Sequence, residues 1–475
     1  MPKIILHLLS LLLCAGAVAV LLTVRLGAQV TPSSSAPATE PISTQFNVVV
    51  GATQVPVYLA RVCNLSAEQR RHLGLPAIED TAQASFASFD LKGNSQITVT
   101  CPQGVSSAKI LPSSSGVVSS FSGNRVTFTV VRPGQLTLEV NGDWVSSLHL
   151  FVNPPDTNIP GPHDPNVIYF GPGVHVVESV KVTSGQTVYL APGAVVYGTA
   201  TQAKPISAIF SLQGSNITLR GRGIIDGSLC PRGTRSIVYL SGTNVTVEDV
   251  VLRDSCGFTF PIRRAQQVTI SNVKVFGWRG NSDGMDICNS RGVNVSNCFL
   301  RTFDDLIVLK TDKGQGEESN VTVRHCVLWN EIAHALSLGA ELREPLTNIS
   351  FSDCDIIRDK GREWLLRVYD CDSGAVSNVT FANIRIEEAQ RLMSLWIGKQ
   401  VWSKEAERGH INDVVFQNIS SVLPEVSYPF ADLVGYDAGH AVIGVNFQHV
   451  VVGGKLLSAG NVQQNAFVHG VVITP

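Results

Sequence analysis

Asp283, the pair Asp304-Asp305, His334 and Arg367 are scattered along the chain, yet each stands just before or within a short run of alternating apolar residues. The runs are GMDICNS from Gly284, LIVLKT from Leu306, ALSLGA from Ala335, LLRVYD from Leu365 and LMSLWI from Leu392. Three carboxylates brought close together cannot ionise independently, so at least one is expected to hold a proton at working pH. A protonated acid beside ionised carboxylates is the equipment needed to cleave a glycosidic bond. Each residue alone has a plainer explanation. An Asp-Asp pair before a strand is ordinary turn chemistry, His334 could be structural, and Arg367 could simply pair with Asp286. The functional reading rests on their convergence.

Convergence requires that the runs be strands stacked one per coil. In that register Met285 and Ile287, Ile307 and Leu309, Leu336 and Leu338, Leu366 and Val368, and Met393 and Leu395 point inward, all apolar. The outward set holds Asp286, Lys310, Ser337, Arg367, Tyr369 and Trp396. Asp283 and Asp305 then occupy matching positions on neighbouring coils, about 4.8 Å apart at the backbone. Trp364, Tyr369 and Trp396 are candidates for an apolar platform under sugar rings.

A second repeat supports the same stack. NITLRGRGI from Asn216 is echoed by phrases opening at Asn244, Gln267, Gly292, Asn320, Asn348, Asn378, Asp413 and Gly444. The interval, roughly 23–35 residues, is that of a solenoid, and the strand-like phrases make it a β-helix. Four residues after each opening Val or Ile stand Asp249, Asn272, Asn297, His325, Asp353, Asn383, Asn418 and His449, polar residues suited to a left-handed corner. The next position holds apolar residues and Cys298, Cys326 and Cys354, expected as packed thiols. The fold class is therefore all-β, a right-handed parallel β-helix over 153–475. Ahead of it, alternating runs over 45–152 predict a small antiparallel β-sandwich.

The first 28 residues read as an export signal: Lys3, an apolar stretch from Ile4 to Val24, then Gly27-Ala28 before Gln29. An uncleaved membrane anchor is the alternative. Residues 29–44, rich in Pro, Ser and Thr, predict a disordered tether. A secreted or periplasmic monomer follows, with no stable membrane association once the signal is cut. A net charge of -2 over 475 residues gives no support for a nucleic-acid partner. The ten cysteines fit no zinc spacing. Cys63 and Cys101 are a candidate disulfide.

The motif order NSDGMD (Asn281 to Asp286), FDD (Phe303 to Asp305), AHALSLG (Ala333 to Gly339) and LRVY (Leu366 to Tyr369) resembles family 28 of the glycoside hydrolases, the polygalacturonases. NVIYFGPGVH from Asn166 and VYLAPGAVVYG from Val188 look equally like family 49, the dextranases and isopullulanases, which also place a β-sandwich before the β-helix. The resemblance implies hydrolysis with inversion of a polysaccharide substrate, with no metal or organic cofactor. Asp304 would be the general acid, Asp283 and Asp305 would position and deprotonate water, and His334 would tune the acid. Arg367 would bind substrate, with Asn281, Asp286, Lys310, Tyr369 and Trp396 as further binding candidates. The sequence departs from the family at Ser282, Ala333, Ala335 and Tyr369. Tyr369 stands where the family has a Lys that meets a uronate carboxylate, and a phenol does not replace that charge; Lys310 and Arg263 are the nearby cations that could. The alternatives are a neutral α-glucan hydrolase, a β-helix polysaccharide lyase with calcium held by the acids, and a non-catalytic carbohydrate-binding surface protein.

Overall fold

The computed structural model describes residues 29–32, 35–64, 81–200, 207–424 and 427–475. The expected signal segment lies outside the described residues.

From Val167–Phe170 to Val472–Thr474 the chain forms one continuous coil of strands in which each pairs in parallel with its equivalent a turn later. This is the expected parallel β-helix. Its reason is local: apolar residues alternate, so each coil buries one row of side chains and cannot do so without a neighbour above and below. Val245, Val268, Val293, Val321, Ile349, Val379, Val414 and Val445 stack in register and are buried. Beside them Phe351, Phe381, Phe416 and Phe447 form an internal column with ring centroids 5.0, 5.0 and 5.2 Å apart. One late hairpin, Val451–Val452 with Lys455–Leu456, runs antiparallel.

Every predicted corner residue from Asp249 to His449 has a positive φ. So has the residue opening each repeated phrase, from Asn216 (57°) to Gly444 (73°). A left-handed bend therefore brackets the strand at both ends, and the polar side chains there join coil to coil. Asn348 accepts from Asn378 at 2.6 Å and donates to Asn320 at 3.2 Å. Cys298, Cys326 and Cys354 are packed inward at 0% exposure, as their positions predict.

The N-terminal region forms two sheets, of six and five strands, closed over a core of Val48, Ile97, Val99, Phe128, Leu138 and Leu150. The pairing is antiparallel except between Thr81–Lys92 and Asp143–Asn153, which run parallel. Phe86, Phe151 and His149 from this unit pack on Phe276, Phe299 and Trp329, which point outward from successive coils. Beneath them Arg301, fully buried, pairs with Glu331 at 3.0 Å and lies 3.8 Å from the Trp329 ring.

Two expectations are corrected. The stretch 29–44 is not a loose tether: Gln29–Pro32 adds a strand to Thr81–Lys92, and Glu40, 5% exposed, pairs with Arg253 at 2.5 Å. Cys63 and Cys101 are not bridged. Cys63 packs against Phe303, Ile332 and Ala333, while Cys101 lies in the sandwich core.

Candidate active site

The strands Phe260–Arg263, Met285–Cys288, Ile307–Thr311, Leu336–Leu342, Leu366–Asp370 and Met393–Ile397 pair in the predicted register. Met285, Ile307, Leu336, Leu366 and Met393 align inward at 0% exposure, and Asp286, Val308, Ser337, Arg367 and Ser394 align outward. Backbone bonds carry the match back to the residues that precede the strands. Gly284 N–H donates to Asp305 O at 2.8 Å, and Leu306 N–H to His334 O at 2.9 Å. Gly284 permits this approach, since a Cβ there would stand 2.4 Å from the Leu306 carbonyl oxygen. Asp283, Asp305 and His334 thus sit one coil apart in a row.

Asp283, Asp304 and Asp305 bring one carboxylate oxygen each to within 4.8 Å of one another. Two hydrogen bonds to one water span roughly 4.5–5 Å between their acceptors, so the trio is spaced to grip a single water molecule. It could also hold a cation, but a fixed positive charge is already there. Lys310 Nζ lies 3.1 Å from Asp283 and 2.9 Å from Asp286. Asp283 is 2% and Asp305 7% exposed, whereas Asp304 is half-buried and faces out. Asp304 is held by the Asn281 and Asp305 backbone N–H groups, each at 3.0 Å. Asp283 Oδ1 and Asp305 Oδ1 are buried and accept no hydrogen bond from the described residues.

Burial sets the protonation. It drives the Asp283 carboxyl well above the usual range, helped by the Asp286 charge, with Lys310 opposing. Burial likewise pushes Asp305 up to about 7, Arg367 opposing and Asp304 assisting. For Lys310 burial works against the charge, but Asp286 and Asp283 outweigh it and keep the ammonium protonated well above its ordinary range. His334 is held neutral by burial and by Arg367. Its Nδ1 bonds the Trp364 carbonyl at 2.7 Å, which requires an N–H there and leaves Nε2 as the acceptor, 3.8 Å from Asp305.

The binding candidates divide. Arg367 is anchored by its Nε to Ser337 Oγ at 2.8 Å and lies 4.4 Å from the Tyr369 ring, so it does not pair with Asp286. Tyr369 and Trp396 are half-buried with centroids 5.1 Å apart, a continuous aromatic surface on the strand face. Asn281 contributes its backbone N–H to Asp304. Asp286 is fully buried beneath Lys310, and the Lys310 ammonium bonds both Asp283 and Asp286. Arg263 is paired with Asp312 at 3.0 Å. Trp364, 5% exposed, is covered by Arg391 and Tyr428 rather than open as a platform. Sequence reasoning missed Ser337 as the Arg367 anchor, although it aligns with Arg367 in the predicted outward row.

Residues 172–465 match the family described as Glycosyl hydrolases family 28. A polygalacturonase of Gossypium barbadense is 24% identical over 195 residues, 38% of this chain and 46% of the cotton protein, so the match spans about half the length of that curated relative. Among solved structures, Dex49A from Penicillium minioluteum superposes with a TM-score of 0.64 at 13% identity, covering 92% of this chain and 96% of the other. A hyperthermoactive exopolygalacturonase from Thermotoga maritima gives 0.52 at 14%, covering 65% and 84%. These likenesses place the fold, and the family match spans most of the coil and every candidate acid: the chain belongs to glycoside hydrolase family 28.

Proposed function

We propose that the chain hydrolyses O-glycosidic bonds of a polysaccharide by direct displacement with inversion, in the manner of a polygalacturonase, and that it does so outside the cytoplasm. The observation that carries this reading is the trio of aspartates spaced for one water, with burial keeping a proton in the set. Protons in such a cluster belong to the set rather than to one residue. Asp304, the half-exposed member, protonates the leaving oxygen. The reacting arrangement is the one in which the shared proton sits on Asp304, so that ionised Asp283 and Asp305 hold the attacking water and one of them takes its proton as the new bond forms. Neutral His334, held by the Trp364 carbonyl, stands one coil beyond Asp305 with Nε2 3.8 Å from its carboxyl. Arg367, locked by Ser337 and stacked near Tyr369, binds the sugar on the next coil.

A second reading concerns the sugar. Lys310 and Arg263 are engaged in internal ion pairs, and Tyr369 and Trp396 present a phenol and an indole where the resembled family has a Lys, which leaves Arg367 as the cation beside them. That favours a neutral α-glucan. The calcium-dependent lyase is less suited, because the Lys310 ammonium already neutralises the acids a cation would need.

The purified chain is to be assayed for reducing ends on polygalacturonate, dextran and pullulan, with and without EDTA. Release that persists in EDTA without products absorbing as unsaturated uronides supports hydrolysis. Unsaturated products, or loss of activity on chelation, refute it. No release from any polysaccharide likewise counts against the reading.

A further inference from the structure

The segment 398–409 leaves the strand Met393–Ile397 and folds back along the coil. It has no regular structure, yet it is tied down closely. The Lys404 and Glu405 N–H groups donate to Asp372 Oδ1 at 2.7 and 2.9 Å, and the Glu405 carboxylate accepts from Ser373 N–H and Oγ at 2.9 and 2.6 Å. Arg343, itself 5% exposed and paired with Asp372 at 2.8 Å, donates to the Trp402 carbonyl at 3.2 Å. Lys313 meets Glu405 at 3.5 Å.

Lys313 follows the strand Ile307–Thr311, whose first residue pairs with Leu336, which pairs with Leu366, which pairs with Met393. Three coil spacings of about 4.8 Å make about 14 Å, so the segment reaches back from its own coil to that of Asp305. The acids precede the strands and this segment follows them, so the two stand on opposite rims of the same strand face. At the tip, Val401 is 84% and Trp402 58% exposed. Tyr369, Trp396 and Trp364 each stack on a neighbouring ring or cation. The Trp402 indole has no such partner among the described residues.

A loop fixed through its backbone to the buried Arg343–Asp372 pair while presenting a bare indole and a bare valine is organised to meet something apolar and flat. We propose that Val401 and Trp402 form a sugar-binding subsite on the rim opposite the acids, taking the C–H face of a pyranose ring of the polymer one or more residues from the bond that is cut. The proposal rests on the polysaccharide-hydrolase reading for its ligand. It explains why the rim is held rigid: a stacking surface that must first be ordered loses affinity to that ordering.

The test compares Trp402→Ala and Trp402→Phe with the parent on whichever polysaccharide the parent cleaves. The expected result is a KM about tenfold higher for the alanine variant, with kcat falling less than twofold, and most of the KM restored by phenylalanine. Val118→Ala, which trims an equally exposed valine on the sandwich, is the control and should not move KM. An unchanged KM in Trp402→Ala overturns the subsite. Should the parent cleave nothing, the hydrolase reading fails on its own, and the subsite is decided by tryptophan fluorescence titrated with polygalacturonate and with dextran. A saturable change present in the parent and absent from Trp402→Ala supports it; no change with either polymer overturns it.

Discussion

Asp305 carries the conflict between stability and function in this site. Burial pushes its carboxyl up to about 7, with Arg367 opposing and the Asp304 charge assisting. A carboxyl raised in the folded state binds its proton more tightly there than in the unfolded chain. Its contribution to stability is therefore full below the unfolded value near 4 and is lost as pH rises through about 7. Asp359, buried behind Asn330 and Gln390, is likewise raised to about 7 and adds to the same slope. These two carboxyls make the unfolding temperature fall between pH 5 and pH 8, while His149 and His334, held neutral by burial, oppose the fall below the free imidazole value near 6.5. Asp305→Asn should flatten part of that fall, unfolding about 1–3 °C higher than the parent at pH 8 while losing turnover. Calorimetry of parent and variant at the two pH values checks this, and a variant that gains no more over the parent at pH 8 than at pH 5 would contradict it.

At the scale of elements, the architecture is carried by columns of like residues. The inward rows, the corner residues and the buried cysteines were legible because a coil repeats its side-chain grammar, and a polar residue tolerant of positive φ marks each bend. Asn348 is one such residue, at φ 58° and bonded to the coils on either side. Asn348→Ala removes both bonds and places a Cβ-bearing residue without a local polar partner in the left-handed region. It should destabilise the chain by about 1–2 kcal/mol, and Asn348→Gly by less, in urea unfolding. What repeats could not reveal was anything made once. The segment 398–409 is held by Asp372, Arg343 and Lys313, contacts that no repeated phrase spells out. Glu40 sits in a stretch whose composition reads as disordered, and the buried Arg253 and the Tyr197 hydroxyl, both far along the chain, give it a place. The commitment of Lys310 to Asp283 and Asp286 was hidden for a related reason. Register shows that a side chain points outward, not whether its charge is already taken.

Across the whole molecule, the sandwich covers one face of the coil through Phe86, Phe151, Phe276, Phe299 and Trp329 and leaves the strand face with the acids uncovered. The coil aligns Asp283, Asp305 and His334 along its axis. The family match and the aspartate geometry agree on the chemistry, while Tyr369, Trp396 and the paired cations bear on which sugar is taken. The measurement that tests the account most directly is turnover by Asp283→Asn, Asp304→Asn and Asp305→Asn, each shown to be folded by its unfolding transition, on the polysaccharide the parent cleaves. Each should lose about 10³-fold or more in kcat. Full turnover in a folded Asp304→Asn would place the chemistry elsewhere on the molecule.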